Sequence, residues 1–293
     1  MSPRRSERLS AIESLVCRDV GRGTQKLIEA TRGELAAAAE SLARARSVGL
    51  ITGFYVPRGE TPAAETDGPV GAGLLAMALE ACGMRTRIAT DAPCIGVVRA
   101  AAPGIEVDEV ADIAGAVRAW QGAGVDCALA IERCGKSVDG KPRNMRGADV
   151  SQWTLPLDDL FTGGPWTKLA VGDGGNEIGM GKLAPSLIGA TVPNGEAIAS
   201  VTGCDHLVVA GVSNWGAYGL MAGLAVLRPE WRDRILPFLS AERDLAVTKA
   251  VVAAGAVDGV TAKREPTVDG FGADVHGPLI ERLRQIACED AAL

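Results

Sequence analysis

A glycine-rich stretch at positions 172–182 holds the densest group of reactive side chains in this sequence. It reads Gly-Asp-Gly-Gly-Asn-Glu-Ile-Gly-Met-Gly-Lys and follows an apolar run, 168–171, that is typical of a buried strand. Its functional groups belong to Asp173, Asn176, Glu177 and Lys182. Glycine lets the backbone approach a ligand closely, and a polar loop after a strand is a common place for an α/β active site. An ordinary turn is the alternative, but a turn does not need four functional groups.

Polar residues also follow the other predicted strands. They are Thr52-Gly53, Asp91, Glu132-Arg133 and the segment from Gly211 to Asn214. Because ligands bind at the carboxyl ends of parallel strands, we expect these residues to surround one site. Four basic residues lie in the adjoining loops, namely Arg133, Arg143, Arg146 and Lys182. They favour a small anionic substrate, since cations and guanidinium groups in particular bind carboxylates well.

The acidic residues predict a divalent cation rather than zinc. The sequence contains no HxxH or HExxH spacing, and Mg²⁺ or Mn²⁺ prefers oxygen ligands such as those of Asp173 and Glu177. No serine lies in a GxSxG motif, which disfavours an α/β-hydrolase triad. His276 has acidic neighbours at Asp269 and Asp274. A capping or surface role is the simplest interpretation, and a general base is the open alternative.

A second glycine pattern, Gly71, Gly73 and Ala76, matches a dinucleotide-binding turn, with Asp91 about 20 residues farther on. In that turn the strand ends immediately before the first glycine, whereas about 18 residues separate Thr52 from Gly71 here. We therefore interpret these glycines as close packing of a helix. No nicotinamide cofactor is expected.

Apolar runs alternate with helical patterns along the chain, which predicts an α/β fold. The predicted strands are 48–52, 85–90, 125–131, 168–171, 206–210 and 259–262. The predicted helices lie within 9–46 and at 70–82, 95–101, 109–122, 215–227, 241–254 and 279–288. Strands rich in Val, Ile, Leu and Ala between helices indicate a mostly parallel, Rossmann-like three-layer sheet with helices on both faces. We expect one domain over 1–293, with the N-terminal helices of 9–46 packed on it.

Composition narrows the class of protein. The chain has 293 residues, of which 47% are hydrophobic and 23% charged, so it can bury a sizeable core. A net charge of −6 and only 4% aromatic residues argue against nucleic acid as a partner. No apolar run reaches the ~18 residues of a membrane span, and we expect no signal peptide, since the charged N-terminal residues lead into no apolar segment. Seven cysteines without CxxC spacing predict reduced thiols and a cytoplasmic location. A homo-oligomer is compatible with these features.

Five segments together resemble the D-glutamate cyclase family, in the domain that forms the C-terminal part of its longer members. The segments are Thr52-Gly53-Phe54, Glu65-Thr66-Asp67-Gly68-Pro69, 130–135, Asn144-Met145-Arg146-Gly147 and the glycine-rich stretch 172–182. The resemblance runs from about Ile12 to the last helix. We expect a stand-alone version without the separate domain that longer eukaryotic members carry in front.

The resemblance implies a lyase that converts D-glutamate, or a similar acidic amino acid, to 5-oxo-D-proline and water. On this hypothesis Asp173 and Glu177 hold a cation or act as general base. The remaining assignments are oxyanion support by Asn176, Gly174 and Gly175, a substrate clamp at Arg146 or Arg133, and further contacts from Glu132, Asp67, Lys182, Thr52, Gly53, Asn144 and Asn214. Two alternatives stay open: a non-catalytic binder of a small acidic amino acid, and a nicotinamide-dependent oxidoreductase.

Overall fold

The protein is described by a computed structural model that covers residues 3–289. Its strands are β1 Ser47–Thr52, β2 Tyr55–Val56, β3 Ala63–Ala64, β4 Arg85–Thr90, β5 Glu106–Glu109, β6 Cys127–Ile131, β7 Thr167–Gly172 and β8 His206–Val209. The helices are α1 Pro3–Val16, α2 Gln25–Ala30, α3 Glu34–Leu42, α4 Pro69–Ala81, α5 Ile95–Ala101, α6 Ile113–Gly122, α7 Asp158–Thr162, α8 Pro185–Gly189, α9 Gly195–Ile198, α10 Ser213–Leu227, α11 Arg232–Ile235, α12 Ala241–Ala253 and α13 Ala273–Cys288. A 3₁₀ turn spans Pro229–Trp231.

Six of the strands form one parallel sheet in the order β5-β4-β1-β6-β7-β8. The chain adds strands outward from β1 on one side, then returns to β6 and adds strands on the other side. This is the doubly wound arrangement, and it leaves a crevice outside the carboxyl ends of β1 and β6. The predicted Rossmann-like three-layer sheet is confirmed.

Alternating side chains on the strands fill two cores, one on each face. Leu50 and Ile51 are neighbours in β1, yet they pack into different apolar clusters. This follows from the two-residue period of a strand. On one face α10 packs so closely on α3 that a Cβ at Gly219 would lie 2.8 Å from Leu35 Cδ1. The buried residues of α1 and α3 therefore belong to the same apolar cluster as those of α10, whereas those of α2 lie in the cluster on the other face.

Several elements differ from the predictions, including α13, which begins at Ala273 and not at 279. Two of the differences have a clear local cause. Residues 106–109 form β5, an edge strand whose Glu-Val-Asp-Glu sequence has no apolar run, and the helix predicted from residue 109 begins after Asp112. The Asp112 carboxylate accepts the backbone N–H groups of Ala114 and Gly115 and so fixes that start. The strand predicted at 259–262 is a turn, because Asp258 Oδ1 accepts the N–H groups of Val260 and Thr261 at 2.9 and 2.8 Å.

The glycines of the dinucleotide-like pattern lie inside α4 and not at a strand-to-helix turn. A Cβ at Gly73 would lie 2.3 Å from the Ala101 carbonyl oxygen, and one at Gly71 would lie 2.8 Å from Asn214 Cα. The interpretation of these glycines as helix packing is confirmed. Within residues 3–289, no helix is long and apolar enough to cross a membrane.

Candidate active site

A cavity of about 480 Å³ opens at the carboxyl edge of the sheet, beside the reversal of strand order. Its inner end is acidic. Asp67, Glu132 and Asp173 are buried and place one oxygen each within 4.8 Å of one another. Glu65 and Asp269 line the same cavity. These five residues are called the acid floor below.

The first turn of α10 binds two carboxylates of the acid floor. The backbone N–H of Ser213 donates to Asp67 Oδ2 at 2.9 Å, and that of Asn214 donates to Asp67 Oδ1 at 2.7 Å. The Ser213 hydroxyl donates to Glu132 Oε2 at 2.5 Å. Amides at a helix N-terminus have no partner within the helix and carry partial positive charge, so they suit a carboxylate. This helix start therefore fixes the position of Asp67 and Glu132.

Glu132 itself sits in a strained backbone conformation directly after β6. Its φ is 46°, a left-handed value that is uncommon for a residue other than glycine. Gly68, with φ of 89°, packs against it: a Cβ at Gly68 would lie 2.6 Å from Glu132 Cβ and 2.8 Å from Thr52 Oγ1. Only glycine allows this approach. Strain of this kind concentrates at functional sites.

Arg22 brings a positive charge to the acid floor from the loop before α2. Its Nη1 lies 2.6 Å from Asp173 Oδ2, and its Nη2 lies 2.5 Å from Asp269 Oδ2. Burial lowers the pKa of Arg22, but the charges of Asp173 and Asp269 outweigh burial and raise the pKa above its ordinary value. Asp19 holds the loop in place by accepting the backbone N–H groups of residues 21–23. Arg22 therefore stays charged and bridges two carboxylates.

The pKa of most floor carboxylates is raised well above its usual range. Burial is the largest cause for Glu65, Asp67, Glu132 and Asp173, and neighbouring carboxylates raise the pKa further. Arg22 lowers the pKa of Asp173, and backbone N–H groups lower that of Asp67, without reversing the shift. These four carboxyl groups therefore bind protons more tightly than exposed carboxyl groups do.

Glu177 organises the glycine-rich loop from within. Its Oε1 accepts the backbone N–H groups of Asp173 and Gly174 at 2.9 and 2.6 Å, and its Oε2 accepts that of Gly175 at 2.7 Å. The amides of Gly174 and Gly175, which the sequence hypothesis assigned to oxyanion support, are therefore occupied. Asn176 Nδ2 donates to the Arg143 carbonyl oxygen at 2.8 Å and ties the loop to the cavity wall.

These contacts decide which residues fit a divalent cation. Both oxygens of Glu177 are engaged by backbone donors, so the pair Asp173 and Glu177 proposed from the sequence is poorly suited. Asp67, Glu132 and Asp173 fit better, because they combine buried oxygen ligands with close spacing. Buried carboxylates are normally paired or bound to metal, and Arg22 pairs with only Asp173 and Asp269 among them.

Six of the residues proposed from the sequence line the cavity, namely Glu132, Asn144, Arg146, Asp173, Asn176 and Glu177. Asn144 and Arg146 lie on an exposed loop, where Asn144 Oδ1 accepts the backbone N–H of Arg146 at 3.0 Å. The Arg146 guanidinium forms no ion pair with any residue from 3 to 289. It can therefore bind an anionic group that enters the cavity.

Lys182 lies away from the cavity, contrary to the sequence hypothesis. Its Nζ is 2.7 Å from Glu34 Oε1 and 2.6 Å from the Asp205 carbonyl oxygen. The reason is a turn in the second half of the glycine-rich stretch. There the N–H groups of Gly179 and Gly181 both donate to the Thr202 carbonyl oxygen and direct the chain away from the floor.

Arg133 is a buried structural residue and not a substrate clamp. Its guanidinium donates to the Gly53 carbonyl at 2.8 Å, to Asp91 Oδ2 at 2.5 Å and to the Leu155 carbonyl at 2.6 Å. It is 1% exposed and joins the ends of β1, β4 and β6. Gly53 contributes its carbonyl oxygen as an acceptor, so Arg133 and Gly53 support the strand ends beneath the cavity and do not contact a ligand directly.

Asn214 and Thr52 also support the site from outside the cavity lining. Asn214 Oδ1 accepts the backbone N–H groups of Gly68 and Gly71 at 2.9 and 2.8 Å, which fixes the turn that carries Asp67. Thr52 is fully buried beneath Gly68. Neither side chain lines the cavity.

His276 is a structural residue within α13. Its Nδ1 accepts the Trp215 indole N–H at 2.8 Å, so the proton is on Nε2, which lies 3.2 Å from the Phe271 carbonyl oxygen. Both nitrogens are thus engaged and buried away from the acid floor. The general-base alternative for this histidine is not supported by its position.

The sequence reasoning missed Arg22, Glu65 and Asp269. Arg22 lies between Gly21 and Gly23, a pattern that predicts a break between helices and does not by itself indicate a site residue. Glu65 lies in a segment that carried the family resemblance. Asp269 precedes Gly270 in a turn, and nothing local in the sequence indicates that residues 22 and 269 meet.

Comparison with known proteins identifies relatives of the chain. A family model described as "D-glutamate cyclase-like, C-terminal" matches residues 12–284. The human protein "D-glutamate cyclase, mitochondrial" is 32% identical over 258 residues, which cover 76% of this chain and 39% of the human protein. The chain thus spans about two fifths of that relative. A crystal structure of a hypothetical protein from Xanthomonas campestris matches at 14% identity and a TM-score of 0.33, covering 68% of this chain and 91% of that one.

Proposed function

The chain belongs to the D-glutamate cyclase-like family, and from this premise we propose that it converts D-glutamate to 5-oxo-D-proline and water. The observation that carries the proposal is the acid floor beside an exposed guanidinium, that of Arg146. An amino acid presents an ammonium and carboxylates, so it matches a cavity with carboxylates at the inner end and a guanidinium at the mouth.

The raised pKa of the floor carboxylates suits the proton transfers of this reaction. The α-ammonium must lose a proton before its nitrogen can attack the carboxyl carbon of the γ-carboxylate, and a second proton leaves that nitrogen after the attack. Both protons end on the γ-oxygen that departs as water. A carboxylate with a raised pKa is a stronger base than an ordinary one and, once protonated, a nearby acid. Asp173 and Glu132 are assigned these roles because both line the cavity.

A positive charge must also act on the γ-carboxylate, which is a poor electrophile because it is anionic. Three guanidinium groups line the cavity; Arg22 is paired with Asp173 and Asp269 and Arg58 donates to two carbonyl oxygens, which leaves Arg146 for this task within the described residues. As an alternative to direct proton transfer by Asp173 and Glu132, we propose that these two carboxylates, in their ionised form, and Asp67 hold Mg²⁺ or Mn²⁺. A bound cation would offset the charge of the acid floor and polarise a carboxyl oxygen as a Lewis acid.

The test is direct. Purified protein is incubated separately with D- and L-glutamate, with Mn²⁺ or with a chelator, and 5-oxoproline is quantified by chiral chromatography. Product from D-glutamate alone supports the cyclase activity, and its loss with chelator supports the cation. If neither enantiomer gives product while D-glutamate still raises the unfolding temperature, the chain is a binder and the proposed reaction is wrong.

A further inference from the structure

The cavity is larger than its proposed substrate requires. Ten water molecules occupy about 300 Å³ in the liquid, and the roughly ten covalently bonded non-hydrogen atoms of glutamate occupy less than that. The cavity measures about 480 Å³. A substantial part of it therefore remains after glutamate is placed.

Much of the cavity lining outside the acid floor is apolar. Seven apolar or aromatic residues line the cavity, namely Phe54, Tyr55, Val56, Pro57, Met145, Pro193 and Val260. Met145 and Val260 are 37% and 52% exposed, and they are two of the four large apolar side chains that are exposed within residues 3–289. Exposed apolar side chains grouped at a cavity mouth are typical of a ligand-binding surface. The acid floor thus has an apolar entrance.

The charged groups of the cavity also favour a substrate with fewer carboxylates than glutamate. Five carboxylates form the floor, and Arg22 is already paired with two of them. Arg58 donates to the carbonyl oxygens of Gly259 and Val260. Arg146 is then the one cavity guanidinium with no protein partner inside the described part of the chain. One available guanidinium suits a substrate with one carboxylate better than a substrate with two.

We propose that the preferred substrates are γ-D-glutamyl amides whose amine portion is apolar; this rests on the proposed cyclisation. The γ-amide carries no charge, so it is more readily attacked than a γ-carboxylate. The α-ammonium first gives one proton to a carboxylate of the acid floor. The α-nitrogen then bonds to the carbonyl carbon of the γ-amide, the amide C–N bond breaks, and the amine leaves with a second proton from the attacking nitrogen. The products are 5-oxo-D-proline and the free amine, without formation of water. The apolar amine occupies the entrance formed by Met145 and Val260.

The experiment compares D-glutamate, D-glutamine and γ-D-glutamyl-n-butylamide, with 5-oxo-D-proline measured by chiral chromatography. The two amides share the γ-amide group and differ in the apolar chain. We expect kcat/KM for the butylamide to exceed the values for D-glutamine and D-glutamate at least tenfold. Turnover of D-glutamate with no advantage for the butylamide overturns this inference and leaves the cyclase activity standing. If none of the three compounds gives product, both the cyclase activity and the preference for amides are wrong. If only the amides give product, the protein cyclises γ-amides and not D-glutamate itself.

Two variants test whether the apolar amine portion binds at the entrance formed by Met145 and Val260. The double variant Met145→Gln, Val260→Asn makes the entrance polar with little change in size, and Val138→Asn is the matched control on a surface valine that is 78% exposed and does not line the cavity. We expect the double variant to remove most of the butylamide advantage over D-glutamine, and the control to retain it. An advantage that survives in the double variant contradicts the assignment of this entrance.

Discussion

Replacing Glu177 by Gln separates two roles for the glycine-rich loop. The sequence hypothesis made Glu177 a cation ligand or general base, whereas the structure shows its carboxylate accepting three backbone N–H groups. A glutamine keeps one acceptor oxygen and presents an NH₂ group where the other oxygen was. If the amide oxygen takes the place of Oε1, the buried N–H group of Gly175 faces the NH₂ group and loses its acceptor.

The magnitude follows from these contacts. A buried donor without a partner costs about 1–3 kcal/mol. The two bonds that remain lose the contribution of the charge, which is roughly half of their strength, or ~1 kcal/mol each. Removal of one negative charge near Glu132 and Asp173 offsets part of this loss. We expect a net loss of about 3 kcal/mol in the free energy of unfolding, which lowers Tm by roughly 5 °C in a chain of this size.

The assay is thermal and urea unfolding together with product formation, and Glu230→Gln is the control, since Glu230 is 60% exposed. The control should change Tm by less than about 1 °C. Loss of turnover in Glu177→Gln is expected on either role, so stability is the deciding measurement. An unchanged Tm with lost turnover would refute the structural role and restore Glu177 as a catalytic group.

Three further predictions concern the same site. Asp173→Asn should lower turnover by about 10²–10⁴-fold, because the proton-accepting group is lost, while the far-ultraviolet circular dichroism stays that of the wild type; a retained rate would contradict its assignment. Because the pKa values of the floor carboxylates are raised in the folded state, the folded protein binds protons more tightly than the unfolded chain, so stability should fall as pH rises above ~4. Urea unfolding between pH 5 and pH 8 tests this, and Mn²⁺ should flatten the dependence; a rise in stability over that range would exclude it. Lys182→Met should leave kcat/KM within about twofold, because its ammonium forms a surface pair with Glu34; a large loss of turnover would place Lys182 back in the site.

The sheet was predictable because burial on both faces leaves a strong signal. The strands that form its centre, β1, β6 and β7, are short apolar runs bounded by helices, and their ends agree with the predictions within two residues. The acidic edge strand β5 has no such run. Hydrogen bonding to β4 makes it a strand, and that contact is not visible in its own sequence.

The site was predictable where a functional residue follows a strand. Glu132 and Asp173 were found in this way, because topology brings the ends of parallel strands together. Arg133 and Lys182 were assigned to the site wrongly, because the sequence does not show that each already forms an ion pair within the protein, with Asp91 and Glu34 respectively. The cytoplasmic location, the homo-oligomer, the cation and the single-domain boundary stay predictions.

The ion pairs of Arg22 have a consequence for synthesis of the protein. Arg22 precedes the first strand of the sheet and Asp269 follows the last, yet both form one wall of the cavity. On the ribosome, the segment that carries Arg22 emerges long before its partner, and domains fold as their sequence emerges. A nascent chain can form most of the sheet and still have an incomplete cavity. A chain that ends before Asp269 would therefore lack one of the two carboxylates that hold Arg22 and, with it, part of the cavity wall.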